Sequence, residues 1–507
     1  MKRRDFIGST LVGLGTAQLA ARASAFPGFS SSPFTLGVAS GDVTEDSVVL
    51  WTRLAPSPLE VGGGVDNINI SVSWQLAVDP AMNEIVRRGK YVTSPALAHS
   101  VHVDVQQLQP GREYWYRFQV EGYESTTGHT RTLPAAHSSP ASIRFATTSC
   151  QNYAHGYFVA YQHMVRDRPA FVIHLGDYIY ETSFGDNFRR HETETPPVTL
   201  DEFRARHALY KTDRDLQLAH ANIPFFTMID NHDAIEDRDP EKFKQRIAAY
   251  QAWYEHMPVR GFAGIGKNEF LLHRLLKLGD LAQISLLDAR QYRDSKEVCL
   301  DSRDPGYGFG NYRQQCEAML PETRSMLGAG QEQWLRENLA GNKCRWNVLA
   351  SPGPFLPFRY KDGDLQRVYI GAWDAYPANR LRVLDAFSNA PSGHPLVLSG
   401  DVHSFWAVDG NLAQQPAERF PLVEFVSSSI SANWPAPLDT PIRENLVNNP
   451  QVDYYEGGKR GYLLHTVEPG QWLTEVRAVQ DARDRQSSIT APASFRIRHG
   501  QPGFSRA

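Results

Sequence analysis

The sequence predicts an α/β fold that is preceded by a small β-sandwich domain. Three observations indicate this architecture. A chain of 507 residues has material for roughly two to three domains. Between residues 34 and 133, apolar and polar residues alternate in short segments separated by turns, as in antiparallel strands. Over residues 143–507, apolar runs of strand length alternate with runs of helical periodicity, as in α/β domains.

The first 25 residues have the order of an export signal. Arg3 and Arg4 precede a short apolar stretch, and small residues at positions 23–25 provide a cleavage site. The apolar stretch is too short and too rich in glycine and threonine for a transmembrane anchor, which needs about 20 apolar residues. Because residues 1–25 resemble a twin-arginine signal, we expect the twin-arginine export machinery as a partner, a periplasmic or secreted location, and no stable membrane anchor.

The region 34–133 contains several segments that alternate like half-buried strands. In the last of these, Pro110 and Gly111 form a turn and aromatic residues alternate after it, which resembles the loop and strand of fibronectin-type domains. Residues 134–142 are mostly small and contain two prolines, so we interpret them as a linker. The sequence therefore predicts a fibronectin-like β-sandwich over 34–133.

The region that follows the linker predicts a sheet with helices. Two runs, 243–257 and 331–341, have helical periodicity. The apolar runs between such segments are of the length expected for buried strands. The predicted strands cover residues 142–150, 170–177, 223–233, 281–290, 344–351, 394–403 and 421–429.

Composition narrows the classes of function. The chain has 41% hydrophobic residues, enough for a sizeable core, and its 52 basic and 56 acidic residues give a net charge of only −4. Such a balance gives no large field of one sign, so nothing in it indicates a nucleic-acid-binding surface or an anionic membrane as partner. Any ligand must therefore be recognised by a specific site.

Polar side chains follow directly after several of the predicted strands. Ligands of open α/β sheets bind beyond the carboxyl ends of the strands, so residues from separate strand ends can converge on one point. Tyr180 comes three residues after Asp177, on the turn that follows, and can fold back to the same side. The other residues at strand ends are Cys150, Asn231, His232, Asp401 and His403.

The chemistry of this set indicates a metal centre. It contains a thiol, carboxylates, a phenol, an amide and two imidazoles, but no serine or lysine nucleophile. Such a mixed set can hold two ions bridged by one carboxylate. Other interpretations remain: a lone cysteine such as Cys150 is most often part of a core, and His232 and His403 could be partners of nearby carboxylates. Asp230 and Asp233 could hold His232 in its tautomer.

The motifs resemble those of a known superfamily. Residues 176–180, GDYIY, match the GDxxY motif of purple acid phosphatases. Residues 230–233, DNHD, match the GNH-D/E block of calcineurin-like metallophosphoesterases apart from the first residue, and GDVH at 400–403 occupies the place of their GHxH motif. From Phe34 to near Ser429 the chain resembles the PhoD-like alkaline phosphatase and phosphodiesterase family, which implies a two-sheet metallophosphoesterase sandwich with flanking helices.

The resemblance implies a role for each residue of the set. Asp177 would bridge Fe³⁺ and a second, harder ion, which oxygen ligands suggest is Ca²⁺. His232 would be the catalytic residue, donating a proton to the leaving alkoxide or stabilising its charge. The other iron ligands would be Cys150, Tyr180 and His403, and the other calcium ligands would be Asn231 and Asp401.

Two departures from the family pattern leave the second metal less defined. The family more often has two acidic residues before the histidine, where this chain has Asp230 and Asn231. Asp401 replaces a histidine of the wider superfamily, and a carboxylate in place of an imidazole favours a hard ion.

The function implied is hydrolysis of phosphate monoesters or diesters by attack of a metal-bound hydroxide on phosphorus. The substrate would be a small phosphate ester or a phospholipid-type molecule. Phosphodiesterase or phospholipase D activity is the alternative within the enzyme class. Outside the enzyme class, the alternative is a non-catalytic surface-binding protein that binds through the β-sandwich.

Further residues are less defined by the sequence. Arg290 is a candidate substrate ligand, although it could pair with Asp288 instead. The loop 371–380 would place Arg380 over a phosphate ester as a lid does, or pack on the sheet with Arg380 exposed. The pattern of residues 188–220 predicts a helical segment outside the main sheet, with one face exposed to solvent.

The cysteines leave one question open. Cys299 and Cys316 bracket a loop rich in glycine, so a disulfide between them is one of two open interpretations. Cys344 opens a predicted strand and is expected to be a buried small hydrophobic residue.

Overall fold

The structure is a computed structural model that describes residues 28–233, 242–261, 270–299, 311–413 and 420–507. The predicted signal over residues 1–25 lies outside the described residues. The described helices are α1 (Ala160–Asp167), α2 (Leu200–Lys211), α3 (Arg214–Asn222), α4 (Phe243–His256), α5 (Gly328–Ala340), α6 (Pro377–Ser388) and α7 (Ala436–Asn445). None of these helices is long and apolar enough to cross a lipid bilayer.

Strands dominate the fold. The described strands are β1 (Val38–Gly41), β2 (Val48–Arg53), β3 (Ile70–Ala77), β4 (Ile85–Thr93), β5 (Ser100–Val105), β6 (Glu113–Val120), β7 (Tyr123–Glu124), β8 (Gly128–Arg131), β9 (Ile143–Thr148), β10 (Val172–His174), β11 (Phe225–Thr227), β12 (Arg274–Leu278), β13 (Ala282–Leu286), β14 (Tyr312–Gln314), β15 (Trp346–Ala350), β16 (Tyr360–Asp362), β17 (Leu365–Tyr369), β18 (His394–Ser399), β19 (Phe405–Asp409), β20 (Val423–Val426), β21 (Val452–Glu456), β22 (Arg460–Val467), β23 (Gln471–Val479), β24 (Ile489–Thr490), β25 (Ser494–Arg498) and β26 (Ser505–Arg506).

Two large sheets form the centre of the molecule. The first has the order β26-β25-β23-β22-β9-β10-β11-β1-β2-β5, and β24 pairs with β23. The second has the order β12-β13-β15-β18-β20-β19-β21. All seven strands predicted after the linker are present, as β9, β10, β11, β13, β15, β18 and β20, and β9 to β11 run parallel, as do β13, β15, β18 and β20.

The two sheets pack face to face around one hydrophobic core. Phe145, Ile173 and Phe226 come from the first sheet, whereas Val348 and Phe425 come from the second, and all five are buried in the same cluster. Strands that are covered on both faces have near-continuous apolar sequences, which is why the runs were recognisable as strands. The predicted two-sheet sandwich is confirmed.

Helices cover the outer face of each sheet. Phe203 of α2 and Trp253 of α4 pack in one cluster with the outward side chains of β9 to β11. Leu335 of α5 and Val383 of α6 pack in another cluster with outward side chains of β15 and β18. Thr199 precedes α2 as its N-cap residue and forms a capping box with Glu202, in which both side chains accept from backbone N–H groups at the start of the helix.

The N-terminal region is β-rich, as predicted, but its strands divide between two sheets. β3, β4, β6, β7 and β8 form a five-stranded sheet of their own, whereas β1, β2 and β5 extend the first large sheet beside β11. At the junction, Gly41 lies opposite Phe225, and a Cβ atom there would come within 2.4 Å of the Phe225 carbonyl oxygen. Residues 134–142 form neither helix nor strand, as expected of a linker. However, strands before and after this segment pair in one sheet, as β1 and β11 do.

Candidate metal centre and active site

The carboxyl ends of strands from both sheets meet at one edge of the sandwich. Ser149, after β9, forms a parallel bridge with Ser429, after β20, which ties the two sheet edges together. The Ile430 N–H donates to the Ser149 carbonyl oxygen at 3.0 Å, and the Ala432 N–H donates to the Cys150 carbonyl oxygen at 3.2 Å. These contacts bring the turns after β9, β10, β11 and β18 close together.

Four of the predicted ligands have a left-handed backbone. The φ angles are 57° at Cys150, 55° at Asp177, 71° at Asp401 and 50° at His403. Residues with a Cβ atom rarely adopt this conformation, and those that do cluster at functional sites, where the surrounding structure holds them. The turn after each strand is therefore shaped so that the side chain points back to a common centre.

The first group of donor atoms is buried and tightly spaced. Cys150 Sγ lies 3.5 Å from Asp177 Oδ2, and the Tyr180 hydroxyl lies 3.2 Å from the same oxygen and 2.8 Å from His403 Nε2. One donor atom each from Cys150, Asp177 and His403 lies within 4.8 Å of the others. The structure thus brings together the four residues that the sequence assigned to iron.

The second group of donor atoms shares Asp177 with the first. Oxygen atoms of Asp177, Asp230 and Asp401 lie within 4.8 Å of one another. Asn231 lines the cleft beside them. The Tyr369 hydroxyl donates to Asp401 Oδ2 at 2.7 Å. The resemblance implied Asn231 as a member of this group, whereas the sequence indicated Asp230 only as a partner of His232 and did not single out Tyr369.

His403 is held by a hydrogen bond to the backbone. Its Nδ1 donates to the Asn433 carbonyl oxygen at 2.8 Å, which leaves Nε2 directed at Tyr180. Burial lowers the pKa of His403 to about 3, so the ring is neutral. A neutral imidazole with one nitrogen fixed by a carbonyl group is the usual form of a histidine that binds a metal.

His232 is paired with Glu181 rather than with the aspartates beside it. Its Nδ1 lies 2.7 Å from Glu181 Oε2, its ring stacks on Tyr180, and its backbone N–H donates to Asp177 Oδ1 at 3.0 Å. Burial by itself would lower the pKa of His232, but the Glu181 and Asp177 carboxylates raise it to about 10. The expectation that Asp230 and Asp233 hold its tautomer is wrong. Glu181 binds the Nδ1 atom of His232, and Asp233 instead accepts hydrogen bonds from backbone N–H groups.

Asp233 organises the turn that carries Asp177. Its Oδ2 accepts from the N–H groups of Asp177 at 2.7 Å and Asp230 at 3.0 Å, and its Oδ1 accepts from Tyr178 at 2.7 Å and Ile179 at 3.1 Å. A buried carboxylate that accepts several backbone N–H bonds fixes the path of that backbone. Asp233 therefore positions Asp177, a role that the sequence did not indicate.

The donor set fits metal cations. Burial raises the pKa of the Cys150 thiol and the Tyr180 phenol well above their usual values, and burial also raises the pKa of Asp177. Burial thus disfavours the thiolate, the phenolate and the carboxylate, although the charges of His232 and Arg290 act in the opposite direction on Asp177. A bound cation would favour all three charged forms.

A cleft of about 340 Å³ opens onto both groups of donor atoms. Arg290 lines it and is itself nearly buried; its guanidinium contacts Asp230 and donates to the Gly371 carbonyl oxygen at 3.0 Å. Asp288 accepts the Arg290 backbone N–H at 2.9 Å and two N–H groups of Gln291, and none of these hydrogen bonds involves the Arg290 guanidinium. Arg290 thus presents its side chain to the cleft, while His232 and Asn231 line the same space.

Arg380 does not reach this cleft. Its guanidinium is buried, donating to Asp374 Oδ1 at 2.5 Å and to the Phe355 carbonyl oxygen at 3.3 Å. Trp373 in the same loop is fully buried, and its indole N–H donates to Ser351 Oγ at 3.0 Å. The prediction of Arg380 as a substrate ligand on a lid is wrong. The loop packs on the second sheet, and the Arg380 guanidinium is buried in an ion pair with Asp374.

The remaining cysteines lie away from the site. Cys299 and Cys316 form a disulfide. Cys344 is buried and its Sγ contacts the Gly279 carbonyl oxygen, as expected of a small core residue.

Comparisons with known proteins place the chain in a family. A family model described as PhoD-like phosphatase matches residues 145–476, and one described as PhoD-like phosphatase, N-terminal domain, matches residues 20–134. The chain belongs to the PhoD-like phosphatase family. The resemblance drawn from the motifs is confirmed, and as a PhoD-like phosphatase the chain is a phosphoric ester hydrolase.

Individual relatives agree with this assignment. Alkaline phosphatase D of Bacillus subtilis (strain 168) is 38% identical over 505 residues, which span 95% of this chain and 84% of that protein. A solved structure of PhoD is 36% identical, spans 95% of this chain and 93% of its own, and superposes with a TM-score of 0.86. The fold prediction for this PhoD-like phosphatase is therefore confirmed over nearly its whole length.

Proposed function

We propose that this phosphatase depends on two metal ions that share Asp177. The observation that carries the proposal is the position of the Asp177 carboxylate, which belongs to both groups of closely spaced donor atoms. Cys150, Tyr180 and His403 would complete one group, and Asn231 and Asp401 the other. Two bound cations would act as Lewis acids on phosphoryl oxygens and lower the pKa of a bound water.

Fe³⁺ is proposed for the first group and Ca²⁺ for the second. The thiol, phenol and imidazole of the first group suit a transition metal, because soft and nitrogen ligands favour such ions. The second group offers carboxylate and amide oxygens only, which suit a hard cation.

The side chains around the cleft would act on the substrate. Arg290 supplies positive charge at the cleft wall, where it would bind a non-bridging phosphate oxygen. His232 is the proposed catalytic acid: Glu181 holds its Nδ1, which leaves Nε2 to donate a proton to the departing alkoxide. The proposed substrates are phosphate monoesters and diesters, including phospholipid-type diesters, and the assay for the choice is the relative rate on p-nitrophenyl phosphate and its bis ester.

The metal proposal is tested with paired variants. Asp177→Asn should lose both metals by elemental analysis and all hydrolysis of p-nitrophenyl phosphate, because the shared ligand becomes neutral. The control is Asp167→Asn, whose carboxylate binds Tyr462 and Arg477 away from the cleft and should leave metal content unchanged. Full hydrolysis by Asp177→Asn would refute the metal mechanism and revive a non-catalytic binding role for these residues.

Iron is tested by colour in the same preparations. A tyrosinate bound to Fe³⁺ absorbs visible light, so Tyr180→Phe should lose the band. The neighbouring Tyr178 hydroxyl contacts His220 at 2.7 Å and no member of the metal groups, so Tyr178→Phe should keep it. A band that persists in Tyr180→Phe would exclude Tyr180 as its source.

Export by the twin-arginine route to the periplasm or the exterior is proposed from residues 1–25. The support is the Arg3–Arg4 pair and the apolar stretch after it. Replacing both arginines by lysine should retain the protein in the cytoplasm, as measured by immunoblotting of cell fractions. An unchanged distribution would exclude the route.

A further inference from the structure

A second cavity adjoins the active-site cleft. It has a volume of about 880 Å³ and lies between the turn after Tyr180 and the segment that leads into α7. Phe184, Trp434 and Pro435 line both cavities, so the two meet at these residues. The cleft of about 340 Å³ is within the size range of small-molecule sites, and the second cavity adds space for a part of the substrate away from phosphorus.

Phe184 is fixed between the two cavities by aromatic contacts. Its ring stacks on His403, with centroids 6.0 Å apart and an angle of 10° between planes. It also packs edge-on against His155 at 4.7 Å. The Phe184 ring thus forms one wall where the two cavities meet, and it contacts His403, a proposed metal ligand.

Trp434 also lines both cavities. Its ring packs edge-on against Tyr455, and a Cβ atom at Gly457 would approach its Cδ1 to 3.1 Å, so glycine makes room for the indole. Its Nε1 is enclosed by the protein, so the indole offers the cavities an aromatic surface and not a hydrogen-bond donor.

The charged groups of the second cavity argue against a second phosphate there. The Arg483 side chain pairs with Asp186 at 2.9 Å. The Arg460 guanidinium is buried and donates to backbone carbonyl oxygens, including that of Ala432 at 2.9 Å. Both arginines that line this cavity in the described chain are thus engaged by protein groups. An uncharged group with hydroxyls suits the cavity better than an anion.

We infer that Phe184 and Trp434 form a subsite for the alcohol portion of the substrate, and that this alcohol carries a ring with hydroxyl groups, as a nucleoside or a sugar does. The ring lies against the two aromatic side chains, which line both cavities. This inference rests on the proposed reaction at the metal centre, since it assigns the space next to that centre to the leaving alcohol.

The test compares three monoesters with wild-type enzyme and variants: glycerol 2-phosphate, which has no ring, glucose 6-phosphate and adenosine 5′-monophosphate. Trp434→Ala should lower kcat/KM about tenfold for at least one ring-bearing ester, as expected for loss of a stacking partner. The value for glycerol 2-phosphate should stay within about twofold of wild type, which also shows that the variant is folded. The two ring-bearing esters distinguish a sugar from a nucleoside as the preferred alcohol.

Trp434→Phe tests whether an aromatic surface is what the substrate ring requires. It keeps a smaller aromatic ring at this position, so it should retain more of the kcat/KM for the preferred ester than Trp434→Ala does. Phe188→Ala is the matched control, because Phe188 is an exposed aromatic residue that lines neither cavity.

Three kinds of outcome are distinguishable. Equal losses on all three esters in Trp434→Ala, or no loss on any of them, would overturn the subsite while leaving the phosphatase mechanism intact. The wild-type enzyme could hydrolyse bis(p-nitrophenyl) phosphate but none of the three monoesters. That result would overturn the assignment of the alcohol for monoesters. Absence of all hydrolysis in metal-loaded wild-type enzyme would instead refute the proposed function.

Discussion

At the scale of single residues, Asp177 combines three constraints in one position. It follows a strand, has a left-handed φ of 55°, and its carboxylate contacts Cys150, Tyr180 and the backbone of His232. Only the first constraint is visible in a sequence, as a carboxylate after an apolar run. The other two arise from turns that are held by tertiary contacts.

The supporting roles that the sequence did not indicate have that same origin. Glu181, Asp233 and Tyr369 act on His232, on the turn after β10 and on Asp401. Each contact joins segments that are distant along the chain or depends on a side-chain direction that no spacing encodes. The metal-ligating residues that follow parallel strands could be predicted, because strand ends share one edge of a sheet. The residues that hold them in position could not be predicted.

The proposed role of His232 gives a prediction at this scale. His232→Ala should lower kcat by about 10²–10⁴-fold for alkyl phosphates, because their alkoxides need a proton to depart. The loss should be much smaller for p-nitrophenyl phosphate, whose phenolate departs without one. Steady-state kinetics on both esters provide the measurement, with Glu181→Gln expected to act in the same direction and more weakly. Equal losses on both esters would contradict a role as proton donor.

At the scale of elements, helices α2 and α3 show where a pattern misleads. Their histidines and arginines indicated a solvated face, but His207 and His220 are buried. Arg206 is also buried and donates to the Tyr180 carbonyl oxygen at 2.6 Å. A helix enclosed on several sides carries polar residues on its buried face when these bind the backbone of neighbouring turns, and periodicity then gives no warning.

The turn after β10 gives the prediction for this scale. Asp233→Asn should weaken metal binding by about 10–100-fold, because one of its side-chain oxygens becomes an NH₂ group that cannot accept from the backbone. Metal content after dialysis against a chelator measures this.

A matched control for Asp233 exists at the residue that precedes α3. Asp213 is also buried, and its Oδ1 accepts from the N–H groups of Asp215 at 3.0 Å and Leu216 at 3.3 Å, away from the metal groups. Asp213→Asn should lower thermal stability without changing metal affinity. Equal metal loss in both variants would mean that general destabilisation, not the turn, explains the effect.

At the scale of the whole molecule, the sequence predicted which segments are strands better than how they pair. The apolar runs identified β9, β10, β11, β15 and β18, because each is buried on both faces. The extension of the first sheet by β1, β2 and β5 was not predictable, since pairing between segments far apart leaves no local signal. The N-terminal region is consequently part of the sheet that carries the site.

Buried histidines make the stability of this assembly depend on pH. Burial lowers the pKa of His465 and His174 to about 3 and that of His102 to about 4, against 6.5 for an exposed histidine. Below pH 6.5 the unfolded chain binds a proton at each of these positions while the folded chain does not. Stability is therefore full above pH 6.5 and falls as pH decreases from there towards 4, by about 1.4 kcal/mol per pH unit for each histidine.

His465 isolates one such contribution. Its ring lies between the two sheets, 4.9 Å from Phe145 of the first and 6.5 Å from Phe425 of the second, so it becomes exposed only when the sandwich opens. His465→Gln keeps a side chain able to bond Thr147 and Thr474 but cannot be protonated. Urea unfolding at pH 7.5 and pH 5.0 should show a smaller loss of stability for the variant than for wild type, by about 1.4 kcal/mol per pH unit. An identical pH slope in both proteins would show that this histidine is already protonated in the fold, or that the unfolded chain does not gain a proton there.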